Sequence, residues 1–222
     1  MIVKDISFAS VEDNILYDEN LFECAETGLG GETLRFWEMP SFCIVLGRVS
    51  KEPLEVKKDE AAKDDVNIVR RMSGGGTVLL GPGCLNYSLI LSFADRPELK
   101  DIKKSYEYIL GNICDSFQNI GIKAEFEPLS DMAIGARKFS GNAQWRKKKF
   151  MLHHGTILYD FPIEKTERYL KMPPEEPPYR RGRSHSEFLC NAGAKAAEIK
   201  KAIEKAFTAK QAVGHTLSAP YR

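Results

Sequence analysis

The chain has 222 residues, 43% of them hydrophobic, with 32 basic and 31 acidic side chains for a net charge of +1. That length can build one good core and requires no second domain, and the near-neutral balance excludes a global pull toward nucleic acid or an anionic membrane. The opening MIVKDISFASVEDN scatters charges among its apolar residues, unlike a signal peptide, and no stretch approaches the roughly 20 apolar residues of a membrane span. A cytoplasmic location is the expectation. Cys24, Cys43, Cys84, Cys114 and Cys190 form an odd set with no CxxC pair and no histidines at metal-ligand spacing, so they read as reduced thiols, mostly small core residues.

In chain order, Val11, Ile15, Phe22 and Ala25 fall at helical intervals over 10–26, with Ser10 as N-cap and Gly28 as stop. LRFWEMPSFCIVLG reads as two strands broken at Pro40, and VNIVRRM at 66–72 as a strand entering a glycine triplet. CLNYSLILSF at 84–93 alternates, with Leu85, Tyr87, Leu89, Leu91 and Phe93 against Asn86, Ser88 and Ser92, which predicts a half-buried strand. Ile102, Tyr106, Ile109, Ile113, Phe117 and Ile120 keep a helical stripe that Gly121 ends. Strands are expected near 122–126, 131–140 and 150–160, a short helix at 164–171, and a last helix over 193–210. The stretch PPEEPPYRRGRSHSEF has no periodicity. Hairpin-like strand spacing with few helices argues for an α+β fold with a mixed sheet.

Three segments carry chemistry. Arg70 to Val78 is a strand running into Ser73-Gly74-Gly75-Gly76, where missing Cβ atoms let backbone N–H groups converge on an anion and Arg70 or Arg71 can add a charge-assisted contact. A tight turn with a surface arginine pair is the plain alternative, and neither GxxxxGK[ST] nor GxGxxG is present. Lys138, ahead of Ser140-Gly141, can serve a carboxylate and a phosphate if it points inward, or sit in solvent. His153 and His154 face opposite sides of one strand, so they cannot jointly bind a metal in the usual way. Trp145 to Lys149 reads as a solvated hairpin tip or a basic patch for an acidic partner. The three arginines around Tyr179 fit a mobile loop that closes over an anion, or solvated disorder.

In this order, FW…P…VLGR at 36–48, RRMSGGGTVLL at 70–80, LNYS at 85–88, ARKFSGNAQ at 136–144 and HHGTIL at 153–158 resemble the lipoate–protein ligase A family of the biotin/lipoate ligase superfamily, over about residues 10–210. The resemblance implies a single ligase catalytic domain over 1–222 without a C-terminal accessory domain, with a mixed, mostly antiparallel sheet flanked by helices. It implies ATP-dependent activation of lipoate or octanoate to an acyl adenylate, with Mg²⁺, followed by transfer to a lysine of a lipoyl carrier domain. Such carriers are the lipoyl domains of 2-oxoacid dehydrogenase E2 subunits and glycine-cleavage H-like proteins; a separate accessory subunit is also compatible. Nucleic acid and membrane are not expected partners.

Carried over by residue, the resemblance assigns Arg71, Ser73, Gly74, Gly75, Gly76, Thr77, Val78 and Leu79 to nucleotide binding. It gives Lys138 to both ATP and lipoate, as the catalytic cation. Asp131 falls where the family has an Asn-Asp pair holding the adenylate or its metal, with Ser130 in place of the Asn. Gly76, His154 and Gly155 fall on the lipoate pocket. The loop at 173–187, leading to Asn191, loosely resembles the family's arginine-rich segment. Related octanoyltransferases share the fold but pass the acyl group through a cysteine thioester without ATP, and Cys190 is the only downstream candidate for that role. A non-catalytic lipoate- or carrier-binding module is a further alternative. Biotin–protein ligation is disfavoured because the GRGRxGR-type loop is missing.

Overall fold

The computed structural model describes residues 1–208. Its elements are β1 (Ile2–Asp5), α1 (Val11–Thr27), β2 (Thr33–Glu38), β3 (Cys43–Leu46), α2 (Glu52–Glu55), α3 (Lys58–Lys63), β4 (Asn67–Arg70), β5 (Val78–Leu80), β6 (Cys84–Ser92), α4 (Ile102–Gln118), β7 (Glu125–Glu127), β8 (Asp131–Ile134), β9 (Arg137–Arg146), β10 (Phe150–Leu158), α5 (Glu164–Tyr169), α6 (His185–Phe188) and α7 (Ala196–Thr208). Seven strands form the main sheet in the order β1-β2-β6-β10-β9-β8-β7, and β4-β3-β5 form a smaller one. Only the β1–β2 and β3–β4 pairs are parallel, so the fold is the expected α+β, with a mostly antiparallel sheet.

Helix α1 starts where Ser10 Oγ accepts the Asp13 N–H and stops at Gly28, whose φ of 84° suits a residue without Cβ. Its buried stripe is Val11, Asn14, Asp18, Phe22 and Ala25, so two polar groups enter the core with the apolar ones. They are satisfied by Arg35 of β2: Nη1 donates to Asp18 Oδ1 at 2.7 Å and Nη2 to Asn14 Oδ1 at 2.6 Å. One face of the main sheet packs on α4 and α7 through Leu85, Tyr87, Leu89, Ile109, Ile113, Phe117 and Ile203. Fully burying each such aliphatic or aromatic group is worth about 1.5–3 kcal/mol.

Four expectations are corrected. Strand β6 is buried along its whole length rather than half-buried, because α1 covers the polar face and Ser88 Oγ donates to Asp18 Oδ2 at 2.6 Å. The single strand expected at 131–140 is the hairpin β8–β9, which turns at Gly135 with φ 57°. The stretch without periodicity is ordered: a 3-10 turn at Pro178–Arg180 leads to α6, capped by the reciprocal Ser184–Glu187 box. The last helix begins later than expected, at Ala196, and the final two of its expected residues lie outside the described ones. Among the described residues no helix is long and apolar enough to cross a membrane.

Candidate active site

A cleft of about 950 Å³, its open mouth included, lies between α1, the main sheet and the turn joining β4 to β5. Asn86 and Ser88 of β6, His154 and Thr156 of β10, and Gly141, Ala143 and Trp145 of β9 floor it. Ile15, Asp18 and Glu19 of α1 form one wall, and residues 71–73 and 75–78 with Val45 and Leu80 the other. Lys138 and Asp131 stand together in it, so the glycine turn and the lysine, more than 60 residues apart in sequence, share one cavity.

The glycine turn is organised from within. Arg71 is buried, and its guanidinium donates to the carbonyls of Val45, Gly74 and Gly76 and to Ser73 Oγ. Burial pushes it down to about 10 against the opposing pull of Glu55. Arg70, by contrast, turns outward and ties down the carbonyls of Gly47, Arg48 and Ser50. Glu55, at the end of α2, accepts the Thr77 N–H, the Thr77 hydroxyl, the Ser50 hydroxyl and the Lys51 N–H. Burial alone would raise its carboxyl, but the hydrogen bonds from Thr77, Ser50 and Lys51 outweigh it and hold it below the usual range. The N–H groups of Gly74, Gly75 and Gly76 have no partner among the described residues, which leaves a cradle of donors for an anion. Gly75 has φ +81°, and Gly47 has no room for a Cβ because one would overlap the Gly75 carbonyl.

Ser73 Oγ lies 2.6 Å from His154 Nε2. Burial first, and the neighbouring Arg71 second, push His154 down to about 3, so the ring is neutral. His153, also pushed to about 3 by burial and by His154, faces away from the cleft. Tyr87 gives its proton to Asn142 Oδ1 at 2.6 Å, so His153 Nε2 donates to Tyr87 and Nδ1 accepts from Gln144. One histidine is a cleft group and the other a satisfied core group, as opposite faces of a strand require.

Lys138 Nζ pairs with Asp131 Oδ1 at 2.7 Å. A Cβ on Gly141 would stand 2.9 Å from both Lys138 Cε and Nζ, so the glycine makes the space the ammonium occupies. Gly155 does the same for Asn142, whose Oδ1 a Cβ there would overlap. Asp131 Oδ2 accepts from Tyr179 at 2.9 Å. With both oxygens engaged, Asp131 is not arranged as a metal ligand, and the described residues contain no cluster of three His, Cys, Asp or Glu side chains that could hold a metal ion.

Of the residues anticipated for the nucleotide, Arg71, Ser73, Gly75, Gly76, Thr77, Val78, Asp131 and Lys138 line the cleft, as do His154 and Gly155. Leu79 points instead into the core of the small sheet, since alternate residues of a strand face opposite ways, and Gly74 contributes through the turn rather than to the cleft lining. Glu55, Gly141 and Tyr179 were not anticipated as site residues; only Gly141, a glycine inside a strand, carried a readable signal. The loop expected to be mobile is instead bolted down: Arg183 Nη2 donates to the carbonyls of Ala136 and Tyr179, and Cys190 N donates to Lys138 O. No cysteine among the described residues lines the cleft. The Cys190 thiol lies against the Arg137 carbonyl, and burial, only partly offset by Arg137, raises it. The tip at 147–149 is exposed, as expected, and its backbone is anchored: Lys147 Nζ bonds Glu23, and the N–H groups of Lys148, Lys149 and Phe150 donate to Glu26.

The sheet-floored cleft holds an anion cradle, a paired lysine and a neutral histidine, the parts of an anion-binding α+β domain. The family model for the lipoyl protein ligase A/B catalytic domain matches residues 10–215, and the chain belongs to that family. A Mycoplasma pneumoniae protein named "Probable lipoate-protein ligase A" is 35% identical over 141 residues, 64% of this chain and 40% of that protein. The octanoyltransferase LipM of Clostridioides difficile is 31% identical over 178 residues, 71% of this chain and 65% of LipM. A solved lipoate–protein ligase A bound with ATP superposes with a TM-score of 0.80 at 22% identity, covering 94% of this chain and 84% of that one. A bipartite lipoate protein ligase studied with its E2 lipoyl domain, from Thermoplasma acidophilum, gives 0.80 at 23%, with 94% and 82% covered. The chain thus spans less than half the length of the Mycoplasma relative.

Proposed function

We propose that this chain activates lipoate or octanoate with ATP to an acyl adenylate and passes the acyl group to a lysine of a lipoyl carrier domain, such as that of a 2-oxoacid dehydrogenase E2 subunit or a glycine-cleavage H-like protein. The observation that carries the reading is the shared cleft of the Lys138 ammonium and the unpartnered N–H groups of the glycine turn. The turn binds phosphate oxygens. Lys138 holds the carboxylate beside the α-phosphate and stabilises the charge that develops as a carboxylate oxygen displaces pyrophosphate from phosphorus. In the second half-reaction the carrier's lysine amine attacks the acyl carbon, the same cation steadies the tetrahedral oxyanion, and AMP departs with the carbonyl–oxygen bond broken. His154, neutral and hydrogen-bonded to Ser73, fixes the turn without adding a second cation. Mg²⁺ would neutralise charge on the nucleotide phosphates; with both Asp131 oxygens engaged, the described residues offer no carboxylate set to hold it, and the phosphates themselves would carry the ion.

A thioester route without ATP is the second reading, favoured by the likeness to LipM. The raised Cys190 thiol, outside the cleft, argues against it. The test is to incubate the protein with lipoate, ATP, Mg²⁺ and an apo lipoyl domain and weigh the domain by mass spectrometry. Mass gain that requires ATP supports the ligase; gain from octanoyl carrier protein without ATP would replace it with the transferase.

A further inference from the structure

The ordered segment from Glu176 to Cys190 touches the candidate site in two places. Its core is Phe188, 2% exposed, with the Arg180 and Arg183 guanidinium groups 4.8 and 5.2 Å from its ring centroid and the Tyr179 ring at 5.0 Å. From this knot Leu189 and Cys190 reach the main chain of the Lys138 strand: Arg137 donates to the Leu189 carbonyl at 2.6 Å, and Cys190 N to Lys138 O at 2.9 Å. The second reach is Tyr179, whose hydroxyl donates to Asp131 Oδ2 at 2.9 Å while Asp131 Oδ1 pairs with Lys138 Nζ at 2.7 Å. The contacts close into a ring that starts at the Lys138 backbone and returns to the Lys138 ammonium.

A lysine on a flexible four-carbon stem has many rotamers and does not hold one position unaided. Gly141 opens the space for its ammonium, and Asp131 supplies the charge partner. A carboxylate bonded through one oxygen can still turn about its own χ2, so Asp131 sets a direction for Lys138 only if its second oxygen is also held. Tyr179 is the group that holds it, and its ring is fixed against Phe188.

We infer that Tyr179 is a positioning residue for the cleft lysine, acting through Asp131 to aim the Lys138 ammonium at the glycine turn. The inference rests on the adenylate-forming reading for its kinetic consequence but not for its geometric one. Burial, and then Asp131, raise the Tyr179 hydroxyl well above the usual tyrosine range, which keeps it a proton donor. If the ring served only to pack against Phe188, phenylalanine would replace it without consequence.

Two measurements test this. In acid-dependent exchange of pyrophosphate into ATP, Tyr179→Phe lowers kcat about tenfold while KM for ATP and for the acid stays within about twofold, since misaimed reacting groups lower turnover rather than binding. The same change made in Asp131→Asn adds nothing further, because the two residues act in series. Unchanged kcat in Tyr179→Phe, or full additivity with Asp131→Asn, overturns the inference. The second measurement needs no activity: in protein labelled with ¹³Cζ-tyrosine, the resonance absent from Tyr179→Phe shifts in Asp131→Asn and again in Lys138→Met. A Tyr179 resonance indifferent to both changes overturns the geometric claim whatever the enzyme catalyses. A wild-type chain with no exchange but with both shifts removes the adenylate reading and leaves the relay standing.

Discussion

The glycine turn and the β8–β9 hairpin bring opposite kinds of rigidity to one cleft. The turn is held through its backbone: Arg71 and Glu55 bind its carbonyls and its last N–H, and Gly47 lets the Gly75 carbonyl close in. The hairpin offers a flexible side chain, Lys138, held by other side chains in Asp131 and Tyr179. A backbone cradle is set once the chain folds and costs little reorganisation when an anion arrives. A side-chain network can be retuned by one substitution without disturbing the fold. Lesions in the turn should therefore register in stability and activity together, and lesions in the hairpin in activity alone.

The sharpest break is Lys138→Ala. Losing the cation from the cleft is expected to lower acyl-adenylate formation by about 10³-fold, with the circular dichroism spectrum and Tm of the parent; unchanged exchange activity would remove Lys138 from the chemistry. Gly141→Ala displaces the ammonium without deleting it, and about 10²-fold lower turnover is expected for a shift of this size, again with the fold intact. Arg71→Lys tests the other side: one ammonium cannot reach four acceptors, so about 2 kcal/mol of stability should go with the activity. Urea midpoints equal to wild type in Arg71→Lys would erase the contrast.

A milder test uses pH. The folded-state value of about 3 for His154 lies below its ordinary 6.5, so the unfolded chain binds the proton first. The contribution is complete above about 6.5 and is lost as pH falls toward 3, at up to about 1.4 kcal/mol per unit. Urea denaturation between pH 7 and 4 should show that loss, and His154→Gln should reduce its slope by about half, because His153 is lowered to about 3 as well; an equally steep variant would assign the acid sensitivity elsewhere. The smallest effect belongs to Cys190→Ser, expected to hold activity within about twofold of wild type. A folded but inactive Cys190→Ser protein would instead promote the thioester route.

Much of this was readable in the sequence. Periodicity and caps located α1 and α4, because a helix carries its own spacing and stop signals. The glycine triplet and Lys138 stood out because their residue types are costly or unusual where they occur. The split of β3, β4 and β5 into a second sheet was not legible, since pairings such as Cys43 with Leu80 depend on contacts no local pattern encodes. The polar face of β6 looked solvent-facing because alternation cannot tell water from Asp18. The segment at 173–187 read as a mobile loop or solvated disorder because the core it packs on is one phenylalanine, Phe188, among arginines, although the Ser184-to-Glu187 spacing is a capping signal in plain sight. Glu55 left no trace at all, as nothing local marks a carboxylate that will meet a turn 22 residues later.

The carboxylate of Glu26 gathers three successive backbone N–H groups of the β9–β10 turn, while at the other end of α1 Asn14 exchanges hydrogen bonds with Phe8. The helix is riveted at both ends, like a beam rather than a door. On the acyl-transfer reading proposed above, a tail lying along that wall would be graded by the bulk of single side chains such as Ile15, which lines the cleft, and enlarging or trimming that residue would test it.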